Sequence, residues 1–317
     1  MVEKYLSNHP ISMVIPGLMR GRLGEKLDIN QIISTFKMFK SINPNNEIVV
    51  STYRNEIPEP VLKYTDKVVI NDDPGPDSFI PDRWMFMRQK THPSLNNFSR
   101  FFLTNYNGIR ACKNQLVLKS RIEMMPSDPS LLISLIKEYQ ISQVSKITAL
   151  GFFTEHYSGI FHSTDGVLGG IPGTVQFGSK ETLEKLYFQA MKFWQVEQKR
   201  LTRRANRHPI TTEQILGLNF LYLFCNFPLN SILDELNKYY ASPKLIQFIL
   251  KAEVNNFVFL SLKKSGFVLN KYQGTIFIKT PVNLDKQIHK KIVIKIIIVF
   301  LKRYKHMFRR FRSSFFG

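Results

Sequence analysis

Four short apolar runs separated by helix-like segments make up most of the first 140 residues. The runs are short and rich in Val and Ile, which predicts buried β-strands. Apolar residues three and four positions apart predict helices between them. Alternating strands and helices are typical of an α/β fold with a mostly parallel sheet. The predicted strands are Ile11–Ile15, Glu47–Tyr53, Lys67–Ile70 and Gln115–Lys119; one predicted helix follows the N-cap Asp28 with the stripe Ile29, Ile32, Ile33, Phe36 and Phe39, and another spans Asn97–Cys112.

The pattern is weaker beyond about Ser142. Helical periodicity predicts helices over 180–197 and 212–224. Residues 161–173 are rich in Gly and polar residues, which is typical of a loop that approaches a ligand closely. Residues 266–281 are predicted to form a hairpin. Since the chain contains no internal repeat and no low-complexity linker, we expect one globule with a C-terminal appendage.

Polar side chains follow the predicted strands at the points where the strands end. Pro16-Gly17, Ser51-Thr52, Asp72-Asp73 and Arg121–Glu123 occupy these positions. Because ligands of α/β sheets bind beyond the carboxyl ends of the strands, we expect these residues to share one site. Two strand ends supply carboxylates, which favours a site over chance.

Charge is concentrated at the C-terminus. The chain of 317 residues has 44 Lys and Arg against 24 Asp and Glu, a net charge of +20. Residues 286–317 hold ten of these cations and no acid, with apolar residues at helical spacing from Phe300 to Phe315. A basic, aromatic-rich amphipathic helix of this type binds anionic membrane surfaces. The alternative is that its stripe packs on the globule.

Two cysteines exclude a disulfide framework and a four-thiolate zinc site. Cys112 and Cys225 lie among apolar neighbours and are predicted to be buried thiols in a reducing compartment. Residues 1–10 lack the apolar core of a signal peptide. The longest apolar segment, 292–301, is interrupted by Lys295 and falls short of the ~18 residues of a spanning helix. We therefore expect a peripheral and not an integral membrane protein.

Several short motifs occur in a fixed order between residues 11 and 225. They are the opening strand and helix (11–43), Val50-Ser51-Thr52, Asn71-Asp72-Asp73-Pro74-Gly75, Asn97-Phe98-Ser99-Arg100 with Thr104 and Gly108, Leu118-Lys119-Ser120-Arg121-Ile122-Glu123, the loop-like pieces His162-Ser163-Thr164-Asp165 and Phe177-Gly178, and Glu213-Gln214. These fragments in order are more specific than any one of them. In this order the chain resembles the WavE-type lipopolysaccharide-synthesis glycosyltransferases of bacteria.

The resemblance implies a GT-A-like Rossmann-type fold and a nucleotide-sugar donor. The predicted glycosyltransferase domain covers residues 1–285, with a nucleotide-sugar-binding half (1–140) and an acceptor half (141–285). The charge pattern described above adds the membrane-association tail (286–317). The acceptor it implies is a lipopolysaccharide, lipooligosaccharide or capsule glycan at the inner face of the cytoplasmic membrane. Together with the strand ends, it implies these donor-binding residues: Pro16, Gly17, Thr52, Asp72, Asp73, Asn97, Arg100, Arg121 and Glu123.

Glu123 stands where the family has Asp. Glu is an oxygen ligand that suits Mg²⁺ or Mn²⁺, although it is one methylene longer than Asp. Glu123 is therefore the candidate metal ligand, and neutralisation of the leaving diphosphate by Arg and Lys is the alternative. A surface position at the start of the following loop is a further alternative for this residue. Arg121 is either the ion-pair partner of Glu123 or a phosphate ligand.

Each remaining candidate has a structural alternative. Asp72 and Asp73 precede Pro74-Gly75, so they either cap a turn or bind the donor. Arg100 lies beside two phenylalanines, where it either extends along the helix surface to solvent or binds the donor. The cluster Arg203, Arg204 and Arg207 is either a solvated face or a phosphate-binding site.

Glycosyl transfer also needs a base that takes the proton of the acceptor hydroxyl. Asp165 is the favoured base because it lies in the glycine-flanked 161–173 loop, and His162 and Glu213 are its rivals. We predict a membrane-associated glycosyltransferase that binds no nucleic acid. The rivals are a nucleic-acid-binding protein that uses the basic tail and a catalytically inactive scaffold of glycan assembly.

Overall fold

A computed structural model describes the parts of the chain that position the predicted site. The described residues are 8–17, 27–53, 57–75, 77, 97–122, 147–150, 175–200, 212–237, 242, 244, 245, 248 and 257–260.

The described elements alternate between strands and helices, as the sequence predicts for residues 1–140. In chain order they are β1 Ile11–Pro16, α1 Ile29–Ile42, β2 Glu47–Thr52, α2 Glu59–Leu62, β3 Lys67–Ile70, α3 Phe98–Ala111, β4 Leu116–Lys119, β5 Ile147–Leu150, β6 Gln176–Ser179, α4 Lys180–Glu197 with a 3₁₀ turn Gln198–Arg200, α5 Thr212–Cys225, α6 Leu229–Asn237 and β7 Phe257–Leu260.

The described strands form one sheet in the order β3-β2-β1-β4-β6-β5-β7. The pairs β1–β2, β1–β4, β2–β3 and β5–β7 are parallel. β6 runs antiparallel to both of its neighbours, β4 and β5. The prediction of a mostly parallel α/β sheet is therefore confirmed.

Side chains of the central strands alternate between two cores. Ile11, Met13 and Ile15 of β1 pack with Phe36 and other residues of α1 on one face. Val14 points to the opposite face, where α3, α4 and α5 cover the sheet. This alternation is the period-two pattern of a strand buried on both sides, which is why β1 is a continuous apolar run.

Capping residues fix the ends of two helices where the sequence signals them. Asp28 accepts a hydrogen bond from the backbone N–H of Gln31 at the start of α1, as predicted. Ser179 caps α4 in the same way, by accepting from the N–H of Thr182. Helix α3 differs because the side chain of its N-cap residue, Asn97, makes no capping hydrogen bond.

Two local predictions are wrong. β3 is an edge strand with Ile70 53% exposed, not a buried strand, because only β2 pairs with it. Phe177-Gly178 is not part of a loop but lies buried in β6. Short length explains both errors, since four residues give too few positions to show alternation.

Several predictions fall outside the described residues. These are the predicted hairpin at 266–281, the cluster Arg203, Arg204 and Arg207, and the tail 286–317. Of the two cysteines that were predicted to be buried, Cys112 is buried and Cys225 is half-buried. The division at residue 140 stays a prediction. Among the described helices, none has the length and apolar character needed to cross a bilayer.

Candidate functional site

The carboxyl ends of β1, β2, β3 and β4 meet at one edge of the sheet, here called the carboxyl edge. Backbone hydrogen bonds join these ends: Gly17 N–H donates to Ser51 O at 2.8 Å, and Asn71 N–H donates to Thr52 O at 2.7 Å. β1 lies between β2 and β4, so the strand order changes direction at β1. In α/β sheets, ligands bind at such a switch point, in the crevice outside the carboxyl ends of the strands.

Pro16-Gly17 lies at the end of β1, at this switch point. Gly17 has φ +101°, a backbone conformation that an L side chain rarely adopts. A Cβ built on Gly17 has no atom within 4 Å, so the space beside this backbone is open. The predicted donor-binding residues Pro16, Gly17 and Thr52 therefore lie together.

The loop that follows β3, here called the β3 loop (71–75 and 77), is held at its first residue. The buried Asn71 amide donates to the Ser51 hydroxyl at 3.1 Å and to Thr52 O at 2.8 Å. The side-chain oxygen of Asn71 accepts from the side-chain amide of Asn107 on α3 at 2.6 Å. Gly108 follows Asn107 on α3 and packs so closely against β2 that an added Cβ would lie 2.8 Å from Ser51 Cβ.

An ion pair holds the middle of the β3 loop. Arg100 donates from Nε and Nη2 to the two carboxylate oxygens of Asp73 at 2.6 and 2.8 Å. Nη1 donates to Asn97 Oδ1 at 2.9 Å, and the guanidinium lies 5.2 Å from the ring centre of Tyr53. The hydrogen bond to Asp73 raises the pKa of Arg100 most, and burial opposes that shift. Asp73 also accepts from Gly75 N–H, so the turn-capping alternative is observed.

Asp77 holds the end of the β3 loop. Its carboxylate accepts from the backbone N–H of Ser99 at 3.0 Å and from the Ser99 hydroxyl. It also accepts from the indole N–H of Trp194 on α4 at 2.8 Å. Sequence reasoning missed Asp77 and Trp194, because 117 positions separate them and no local pattern connects them.

Asp72 differs from the other acids of this loop. It is exposed, and within the described part of the chain it makes no hydrogen bond or ion pair. It lies in the β3 loop between Asn71 and Asp73, which are both bonded to other residues. Within the described residues it does not cap the turn.

A second polar group lies where β4 and β6 meet. Lys119 is fully buried, faces Gln176 across the strand pair, and has its ammonium 5.4 Å from the ring centre of Phe101. Gln176 Oε1 accepts from the Tyr187 hydroxyl at 2.9 Å. Burial, and next the charge of Glu213, raise the pKa of Tyr187 well above its ordinary value.

The structure brings most of the predicted site residues together. Arg100 contacts both Asp73 and Asn97 directly. Arg121 is half-buried and follows Ser120, whose backbone N–H donates to Val14 O where β4 pairs with β1. Glu213 belongs to the separate β4–β6 group through Tyr187. The predicted residues outside the described ranges are Glu123, His162 and Asp165.

The antiparallel direction of β6 places both ends of segment 151–174 at the carboxyl edge. β5 ends at Leu150 on this edge, and β6 begins there at Gln176, which pairs with Ala149. His162 and Asp165 lie in the sequence between these two strand ends.

The described carboxylates do not form a metal centre by themselves. Among residues that the structure describes, no three His, Cys, Asp or Glu side chains converge on one point. Asp73 is occupied by Arg100, so Asp72 is the carboxylate that this loop offers to a ligand.

Comparison with known proteins gives similarity to solved structures only. No protein-family model matches the chain, and no curated protein matches it. Glucosyl-3-phosphoglycerate synthase from Mycobacterium tuberculosis, in a complex with Mn²⁺, UDP-glucose and phosphoglyceric acid, has 11% identity and a TM-score of 0.38 over 72% of this chain and 83% of that one.

Two further structures are similar at the same level. The glycosyltransferase GlyE from Streptococcus pneumoniae has 13% identity and a TM-score of 0.34, over 67% of this chain and 43% of that one. HddC from Yersinia pseudotuberculosis has 10% identity and a TM-score of 0.29, over 56% and 79%.

Proposed function

We propose that this chain is a glycosyltransferase that takes a sugar from a nucleotide-sugar donor. The observation that carries the proposal is the switch point of the strand order at β1, with Asp72 exposed on a loop that is otherwise held to α3. Nucleotides bind at such switch points of α/β sheets. Open backbone at Gly17 allows a ligand to approach closely, which a polar, charged donor requires.

The donor has two parts that these residues fit. The carboxylate of Asp72 accepts hydrogen bonds from hydroxyl or N–H groups of the nucleoside. Hydrogen bonds to a charged acceptor are stronger than those to a neutral one. Arg121, which follows β4 at the same edge of the sheet, neutralises the diphosphate as it leaves. Stabilising that charge in the transition state accelerates the reaction.

Asp165 is proposed as the base that accepts the proton of the acceptor hydroxyl, with His162 as its rival. Supporting this role, the segment 151–174 begins and ends at the carboxyl edge. Glu213 is the weaker candidate, since it lies near Tyr187 and not in the Asp73–Arg100 group.

A divalent cation fits this chemistry through Glu123 and Asp72. Oxygen ligands from two carboxylates and a diphosphate are the donor set that Mg²⁺ and Mn²⁺ prefer. When bound, the cation neutralises the charge that develops on the diphosphate. Glu123→Gln with unchanged Mn²⁺ dependence of nucleotide binding would assign that neutralisation to Arg121 instead.

The acceptor is proposed to be a lipopolysaccharide, lipooligosaccharide or capsule glycan of a bacterium, as the resemblance to the WavE-type family implies. The basic residues of 286–317 support a peripheral location at the inner membrane. Truncation after Asp285 is expected to release the protein from anionic vesicles and to spare transfer to a soluble acceptor. Cosedimentation of the truncated chain at full-length levels would contradict the membrane role.

Calorimetry with a panel of UDP-, GDP- and CMP-sugars, with and without Mn²⁺, tests the donor. We expect one of them to bind the full-length chain, and Asp72→Asn to weaken that binding about tenfold, the usual loss for a hydrogen bond to a charged group. Glu59→Gln is the matched control, because Glu59 is also exposed and lies away from the crevice. Absence of binding by the whole panel would contradict the proposed function, and salt-sensitive binding of DNA or RNA would favour the rival.

A further inference from the structure

The side chain of Asn97, the N-cap residue of α3, does not cap the helix. The first N–H groups of a helix have no partner within the helix, and the N-cap side chain usually supplies one. Here the Asn97 carbonyl accepts from Arg100 Nη1 instead. The first turn of α3 therefore needs an acceptor from elsewhere in the chain.

Asp77 supplies that acceptor from 22 positions upstream. Its Oδ2 accepts from the backbone N–H of Ser99, the second residue of α3. A carboxylate at this end of a helix is also favoured by the helix dipole. Asp77 is only 8% exposed, and all its hydrogen-bond partners among the described residues are neutral.

The same carboxylate connects α3 to α4. Oδ1 of Asp77 accepts from the indole N–H of Trp194, which is fully buried and stacks on Phe98 with ring centres 4.3 Å apart. Phe98 is the first residue of α3. Asp77 thus fixes the end of the β3 loop to two helices at once, while Asp73 and Asn71 fix its middle and its start.

We infer that Asp77 is a positioning residue of the donor site, acting through the β3 loop on Asp72. The inference rests on the proposed function, because it names the group that holds the donor-binding carboxylate in place. With the loop attached at Asn71, Asp73 and Asp77, the described part that stays open to a ligand is Asp72. Loss of the Asp77 attachment leaves the partly exposed ion pair of Asp73 as the remaining described attachment on the C-terminal side of Asp72.

Asp77→Asn tests this with two measurements on the full-length chain. The amide keeps the size of the side chain and removes its charge. We expect faster hydrogen exchange at residues 71–75 and 98–101 and unchanged exchange in α1 and β1. We also expect KM for the donor to rise about tenfold, as for a lost charged hydrogen bond, with kcat at saturating donor within about twofold.

Two further variants keep the test decisive. Ser99→Ala removes only the hydroxyl donor and is expected to give a smaller change of the same kind, which covers a failure of Asp77→Asn to fold. Asp234→Asn, at an exposed Asp on α6, is the matched control and is expected to change neither measurement.

The outcomes separate this inference from the proposed function. If the wild-type chain binds none of UDP, GDP and CMP or their sugars, the proposed function is wrong. If the wild type binds one of them and Asp77→Asn and Ser99→Ala bind it equally well, the inference alone is overturned. A fall in kcat without a rise in KM would also overturn it, because a residue that positions the donor acts on binding.

Discussion

The two edges of the β1–β4 sheet contain similar polar residues that are used differently. At the amino edge, where these strands begin, buried Glu47 accepts from the Ser12 hydroxyl and from the backbone N–H of Lys113 at 2.8 Å. Buried Asn46 accepts from Ile11 N–H and donates to Phe39 O, both at 2.8 Å. The side-chain groups of this edge are thus bonded within the chain.

The carboxyl edge contains the same kinds of bonds, but it also has groups that remain accessible to another molecule. Asn71, Asp73 and Asp77 are bonded within the chain as firmly as Glu47 is. Asp72 and the space beside Gly17 are left for another molecule. An acidic cluster therefore indicates a ligand site only through the carboxylates that its own hydrogen bonds and ion pairs leave unbonded. Stability is expected to depend most on the amino edge, and donor affinity on the carboxyl edge.

Alkaline pH is expected to have the largest effect on the amino edge. Burial, and next the charge of Glu47, raise the pKa of Cys112 from 9.0 to about 12. The folded chain therefore keeps a neutral thiol where the unfolded chain ionises, so the stabilisation is complete below pH 9 and is lost as the pH rises towards 12. Three units correspond to about 4 kcal/mol at most.

Urea unfolding at pH 8 to 11 measures this loss. The difference between the wild type and Cys112→Ala isolates the thiol from other groups that titrate in the range. A Cys112→Ala profile parallel to that of the wild type would show that this thiol contributes nothing to the pH dependence.

Glu47→Ala is expected to lower the free energy of unfolding by about 3 kcal/mol, because it leaves a buried hydroxyl and a backbone N–H without their acceptor. Donor affinity of the folded protein should not change. Urea unfolding and calorimetry measure the two quantities. Glu59→Ala, whose ion pair with Lys63 is exposed, should cost less than about 0.5 kcal/mol. Weaker donor binding by Glu47→Ala would contradict the separation of the two edges.

Gly108→Ala is expected to affect both properties. Its Cβ would lie 2.8 Å from Ser51 Cβ and from Val14 Cγ1, and overpacking of this kind costs about 2 kcal/mol. Ser51 accepts from Asn71, so the strain reaches the start of the β3 loop. Thermal unfolding and donor titration are the measurements. A stable variant with unchanged affinity would show that α3 moves away from the sheet at no cost.

Arg100→Lys is expected to have the smallest effect on stability, about 1 kcal/mol. Lys keeps the charge but makes only one of the two hydrogen bonds to Asp73. The Arg100 side chain is 11% exposed and that of Asp73 30%, so solvent screens part of the interaction. Donor affinity should fall more than stability. Equal affinity in both proteins would show that Asp77 and Asn71 alone hold the loop.

The sequence predicts the long helices and the first four strands closely and the later strands poorly. Helical periodicity places α1, α3, α4 and α5 within a residue of their observed ends, because each has three or more turns over which the period repeats. β5, β6, β7 and α6 were not predicted. The three strands have four residues each, and β6 takes its place in the sheet by pairing with β4 at Leu116–Lys119, a contact that no local pattern reveals.

The candidate site was predictable in its location and not in its internal bonds. Strand ends identify Gly17, Thr52 and Asp72 because the parallel sheet gathers them at one edge. The partners of Asp73 and Asp77 lie on α3 and α4, far away in sequence, so the same acidic segment gives no sign of which carboxylate is open. Asn97 is the N-cap residue of α3, yet the carboxylate of Asp77 accepts the hydrogen bond from the first turn.

The place of β6 sets the order in which the sheet is completed during synthesis. The pairings among β1 to β4 need residues only up to Lys119, whereas β5 needs β6 for one described partner and Phe257–Leu260 for the other. Pairings between distant segments form late, because closing a long loop costs entropy. Unpaired strand edges bind other chains. A nascent chain between residues 120 and 256 therefore depends on protection from aggregation more than a chain that has passed β7.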